Sequence, residues 1–140
     1  VVIIDDDIIF KNNLSETLYN CYLHHPESVS ANYIITHDTK YGKITEPNGF
    51  IGFMFKMNDN IRKFKEYYKT MPECTRKIDD TWFGYVFFKL GIPVVKACKD
   101  WHYGSTDLWN HRQSDNHEKW YELHLDTDRC KLTNDFLSSI

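Results

Sequence analysis

The sequence has no surplus of positive charge. Seventeen Lys and Arg stand against twenty Asp and Glu, a formal net charge of −3. Nothing is left over to neutralise phosphates, so general nucleic-acid binding is not expected. No apolar run approaches the roughly 18 residues of a membrane span, and no transmembrane segment is expected. The cysteines are few and scattered: Cys21, Cys74, Cys98 and Cys130, with no Cys-x-x-Cys pair. That spacing argues against a structural zinc site. Two disulfides are arithmetically possible, and scattered buried thiols in a reducing compartment are the simpler expectation. Internal repeats, low-complexity tracts and blocks of like charge are all missing. So are an initiator Met and a signal peptide, because Val1-Val2-Ile3-Ile4 has neither a basic flank nor the length. The chain opens inside an apolar run and reads as a piece of something longer. The missing signal therefore says little about the parent protein.

What is present suits one folded domain over residues 1–140. A chain of this length can bury roughly 68–70% of its unfolded surface. Hydrophobic residues at 41% and charged residues at 26% argue against disorder. Aromatics reach 16%. They supply a core and would also fit a site that stacks on sugars or bases.

Residues 1–4 form a β-branched apolar run, which reads as a strand buried on both faces. Asn13 followed by Glu16 resembles a capping box, with a helix after it that Pro26 stops. Residues 29–37 and 50–55 read as strands, the second broken by Gly52. Tyr41-Gly42 and Pro47-Asn48-Gly49 mark turns. Ile61, Phe64, Lys65 and Tyr68 suggest a helix ending before Pro72. Trp82, Phe83, Val86, Phe87 and Leu90 recur with helical spacing after Asp79-Asp80, with Gly91 at the C′ position. Residues 92–97 read as a strand, and a polar loop over 98–114 follows. Asp115 with Glu118 caps a further helix, and a last short helix starts near Thr133. Helices interleaved with short apolar strands give an α/β class.

Asp5-Asp6-Asp7 is the strongest chemical feature. Three adjacent carboxylates repel one another unless something positive is bound, and a hard divalent cation is the usual solution. At the carboxyl end of a buried strand they would lie where open α/β sheets bind ligands. A solvated acidic turn is the plainer alternative. Asp79-Asp80 is a second pair. One carboxylate suffices to cap the helix, and the other is free to act as a general base that the helix dipole helps keep ionised. His102, in the polar loop, could complete a metal sphere, with His111 and His117 behind it. Trp101 and Trp109 could stack on a sugar ring, whereas Trp82 and Trp120 fit a core.

The first ten residues, VVIIDDDIIF, resemble the strand and Asp-x-Asp motif of glycosyltransferases with the GT-A fold, of the bacterial and viral kind related to family 2. Residues 46–55, EPNGFIGFMF, are similar to the Gly-containing strand beside the donor sugar. DDTWFGYVFFKLGIPV, residues 79–94, looks like the acidic-pair helix of inverting members. The resemblance covers most of the chain up to Val95. It implies a mixed sheet with flanking helices, a Mn²⁺ or Mg²⁺ ion, and a nucleotide-sugar donor, with a UDP-sugar the first choice. Asp5 and Asp7 would be the Asp-x-Asp residues and metal ligands, with His102 as a further ligand. Asp5, Asp6, Gly49 and Gly52 would face the donor. Asp80 would be the catalytic base, although Asp79 stands where Glu is more frequent and leaves open which Asp serves.

The nucleotide-binding βαβ region that normally precedes the Asp-x-Asp strand is absent. The isolated chain is therefore expected to be the acceptor-side portion of the fold, and inactive by itself. The partners implied are the donor and a carbohydrate or other hydroxyl acceptor. A cytoplasmic location is expected, or the Golgi or ER lumen for a eukaryotic parent. Two other readings compete. A haloacid-dehalogenase-type phosphohydrolase would use Asp5 as nucleophile and Asp7 as acid, and would give a beryllofluoride-trapped aspartyl species. A non-enzymatic carbohydrate-binding module would use Trp101 and Trp109 and would bind sugar in EDTA.

Overall fold

The computed structural model describes residues 1–4, 8–10, 14–49, 52–97, 109–111 and 128–140. In chain order the elements are β1 (Val2–Ile3), β2 (Ile8–Phe10), α1 (Leu14–His24), β3 (Val29–Ala31), β4 (Ile34–Thr39), β5 (Gly42–Pro47) and β6 (Phe53–Met54). There follow α2 (Asp59–Arg62), α3 (Phe64–Lys69), a 3₁₀ turn (Glu73–Lys77), α4 (Asp79–Lys89), β7 (Val94–Lys96), β8 (Trp109–His111) and α5 (Arg129–Ser139). The chain is α/β, with a mixed sheet and flanking helices.

The central sheet has the order β1-β6-β3-β7. β1 and β3 both run antiparallel to β6, and β7 runs parallel to β3. Thus β1, β3 and β7 share one direction and β6 alone opposes them. β4 and β5 form a separate hairpin, and β2 pairs with β8.

α4 holds these parts together because its apolar residues point two ways. Phe87 joins Val29, Ala31, Phe53 and Phe55 in a core on the central sheet, with Phe83 packed against it. Trp82 and Val86 join Ile78 and Phe136 in a second core beneath α5. The rings meet edge-on as well as stacked: Phe53 and Phe87 are 6.3 Å apart at 85°. Gly91, at φ +66°, ends the helix in the left-handed conformation expected of a C′ glycine. Among the described residues no helix is long and apolar enough to cross a membrane. Cys21, Cys74 and Cys130 are free thiols, but not the buried ones expected: Cys74 and Cys130 are exposed and Cys21 is half-buried. Cys98 lies outside the described residues.

Several expectations need correction. Residues 29–37 are not one strand. After Ala31 the chain leaves the central sheet: the Asn32 N–H donates to Gly52 O at 3.3 Å, and Ile34 onward pairs with β5. β5 itself was not expected, because the turn signals at 41–42 and 47–49 are its two ends. Residues 61–68 divide between α2 and α3. α5 begins four residues before Thr133, since the Asp128 carboxylate accepts from the Lys131 N–H at 2.8 Å and caps it there. The opening run is not buried on both faces. Val1, Val2 and Ile4 are 54, 40 and 45% exposed. Among the described residues β1 pairs on one edge only. The helix expected from Asp115, and Trp101 and Trp120, lie outside the described residues.

Candidate active site

The parallel strands β1, β3 and β7 bring their carboxyl ends to one edge of the sheet. Ile4, Asn32 and Ala97 follow those ends, and Gly52 sits at the amino end of the opposing β6. Ligands of open α/β sheets bind at such an edge. Asp5 comes next in sequence after Ile4.

The loop after β5 closes on the same place. Gly52 N–H donates to Gly49 O at 3.0 Å, and Asn48 N–H donates to Tyr33 O at 3.0 Å. Gly52 has φ +84°, which a side chain would resist. The start of α4 then meets the loop. Gly49 N–H donates to Asp80 Oδ1 at 3.0 Å, across 31 residues of sequence. Asp79 does something different. Its Oδ1 accepts from the Asp80 N–H at 3.1 Å, meeting one of the unpaired donors of the first helical turn. Ile78, the N-cap residue, has no polar side-chain group and makes no cap hydrogen bond. So Asp79 serves the helix while Asp80, half-buried, reaches to the loop.

Four of the expected site residues, Gly49, Gly52, Asp79 and Asp80, are thereby brought together. Asp5, Asp6, Asp7 and His102 lie outside the described residues, as does His117, and of Trp109 and His111 only the backbone is described. Among the described residues no group of three or more His, Cys, Asp or Glu side chains is placed to hold a metal ion.

Gly49 allows the close approach of Asp80. A Cβ there would stand 2.8 Å from Asp80 Oδ1. The obstacle is the free end of a side chain, so the chain would still fold. Asp80 would have to swing away and lose its donor. Gly49→Ala should therefore lower stability by about 1.5–3 kcal/mol, the range for a hydrogen bond to a charged group. The urea midpoint measures this, and an unchanged midpoint would mean the Gly49–Asp80 bond contributes nothing.

Sequence reasoning missed Glu46. It is buried on β5, and its Oε2 accepts from Thr81 Oγ1 at 2.8 Å and pairs with His37 Nε2 at 2.8 Å. In the hairpin register His37 lies opposite Ile44, which makes His37 and Glu46 diagonal neighbours on one face. Thr81 stands next to Asp80 and lies 3.4 Å from Thr133 Oγ1 on α5. A single buried Glu has no signature of its own. The only clue was the alternation Ile44-Thr45-Glu46, which places Glu46 on the same face as a core isoleucine.

Comparison with protein-family models, with curated proteins and with solved structures finds no match to this chain.

Proposed function

We propose that the chain belongs to a metal-dependent glycosyltransferase, which moves a sugar from a nucleotide-sugar donor to an acceptor hydroxyl. One observation carries this reading. The Gly49–Asp80 hydrogen bond joins the glycine stretch and the acidic-pair helix, which resemble donor and catalytic segments of one enzyme class, at the carboxyl end of the parallel strands. Those segments are far apart in sequence, and a helix that merely capped itself would need only Asp79.

On this reading Asp80 takes the proton from an acceptor hydroxyl, whose oxygen attacks the anomeric carbon from the face opposite the leaving diphosphate. The configuration inverts. Gly49 and Gly52 let the backbone approach the donor closely, since neither carries a side chain. Asp5 and Asp7 are the residues that would hold Mn²⁺ or Mg²⁺. Such an ion supplies charge neutralisation on the departing diphosphate.

Asp7 gives the direct test. In the full-length protein, UDP should raise the melting temperature in the presence of Mn²⁺, and Asp7→Asn should abolish that rise. The substitution itself should leave the melting temperature without ligand unchanged or slightly higher, because one of three mutually repelling charges is gone. UDP binding that is indifferent to EDTA would overturn the metal role.

A further inference from the structure

The edge of β4 does not close against α5. Between them lies a cavity of about 480 Å³, lined by Thr36, His37, Asp38 and Lys40 on one side and by Asn134 and Ser138 on the other. That volume is within the range of small-molecule sites. We propose that this cleft binds a neutral carbohydrate, with His37 receiving one of its hydroxyls. The choice of ligand rests on the glycosyl-transfer reading, for which it supplies a place to hold an acceptor sugar.

The lining chemistry favours an uncharged, hydroxyl-rich ligand. The one carboxylate and one ammonium group sum to zero. Each is also turned to a neighbour: Asp38 Oδ1 lies 3.9 Å from Lys43 Nζ, and Lys40 Nζ stands 5.0 Å over the Tyr41 ring. A phosphate or a cation would find no net attraction there. Thr36, Asn134 and Ser138 offer hydroxyl and amide groups that both donate and accept, as sugar hydroxyls do. Asn134 and Ser138 are four residues apart on α5 and so share one face. Leu137, half-buried in the same wall, offers an apolar surface to the C–H side of a ring.

His37 is the best-held group in the cleft. A Glu46 carboxylate oxygen accepts, so Nε2 carries the proton that bridges them. In the neutral ring Nδ1 is then the acceptor, in the charged ring a donor, and a sugar hydroxyl can meet either; Nδ1 has no hydrogen-bond partner among the described residues. Glu46 is itself fixed by Thr81 and by the close packing of Gly84 on its backbone. A carboxylate that orients an imidazole in this way sets which ring nitrogen faces a ligand. The same carboxylate links the cleft to Thr81, the residue after Asp80.

The test is titration of the full-length protein with maltotriose, cellotriose, chitotriose and N-acetyllactosamine, followed by calorimetry or ligand-detected NMR. At least one should bind saturably. Ser138→Trp should weaken that binding tenfold or more by filling the cleft, and Asn134→Ala should weaken it severalfold. Both positions are exposed on α5, and equal melting temperatures would establish that the variants fold. No saturable binding of any of the four, or binding unchanged in Ser138→Trp, overturns the proposal. UDP with Mn²⁺ is titrated in parallel. Sugar binding that responds to Ser138→Trp without any UDP binding would sustain the cleft and remove the glycosyl-transfer reading. UDP binding without sugar binding would do the reverse.

Discussion

Replacing Gly84 with valine should destabilise the protein by about 3 kcal/mol or more, the upper end of what overpacking does. Gly84 is buried in the middle of α4, where the helix crosses β5. A Cβ built there would stand 2.7 Å from Glu46 Cα and 2.9 Å from Thr45 O. These are backbone atoms and cannot rotate aside, so the helix itself would have to retreat. Retreat lengthens the 2.8 Å bond from Thr81 to Glu46 and leaves a buried carboxylate short of a donor. It also loosens two cores together, because Phe87 fills one and Trp82 and Val86 the other.

Gly84→Ala is the sharper version of the same experiment. In an exposed helix this change is worth about 1 kcal/mol in favour of alanine. Here the contact with β5 should outweigh that gain and leave a net loss of about 2 kcal/mol, read as a lower urea midpoint. An alanine variant as stable as the parent would mean that α4 and β5 have room to separate, and the tight α4–β5 packing would have to be abandoned.

The elements visible in the sequence were those with local signals. α4 announced itself through five large apolar residues at helical spacing, two acids at its start and a glycine at its end. The apolar residues and the glycine serve as expected, whereas the N-cap position falls to Ile78 and neither acid caps from it. α1 was placed by the Asn13–Glu16 pattern and Pro26. Of the hairpin of β4 and β5, only residues 34–37 as strand and the turn at 41–42 were visible. Its strands mix Thr, His, Asp, Lys and Glu with few apolar residues, and what makes them strands is their pairing with each other and the packing of β5 under α4. The break after Ala31 was hidden for a related reason. Asn32 is only a weak turn signal with no Gly or Pro beside it, and it is the backbone bond to Gly52, twenty residues further on, that turns the chain away.

The candidate site divides along the same line. Gly49, Gly52, Asp79 and Asp80 could be picked out by residue type, but only the fold assigns the two aspartates different partners. Glu46 and His37 could not be picked out by residue type. A buried acid and its imidazole partner are nine residues apart on two strands that the sequence does not pair.

On the glycosyl-transfer reading proposed above, Asp80→Asn should lower turnover by about 10²–10⁴-fold, the usual contribution of a general base. Donor affinity should stay close to that of the parent, because the change affects proton transfer and not the residues assigned to the nucleotide. The fold should survive as well. An asparagine side chain keeps an oxygen where Asp80 Oδ1 accepts from the Gly49 N–H, so the loop after β5 stays tied to α4. Asp79→Asn is the matched control. Asp79 is exposed, and its carboxylate takes the Asp80 N–H within the first helical turn. Weakening that contact should cost up to about 1 kcal/mol, as for a helix cap, and leave turnover near that of the parent. The two substitutions remove the same charge from neighbouring positions at the same helix end. Any effect of the helix dipole or of net charge is therefore common to both, and only the difference between them reports the base. Equal turnover in the two variants, each folded, would remove Asp80 from the reaction and leave the acidic pair as a helix start alone.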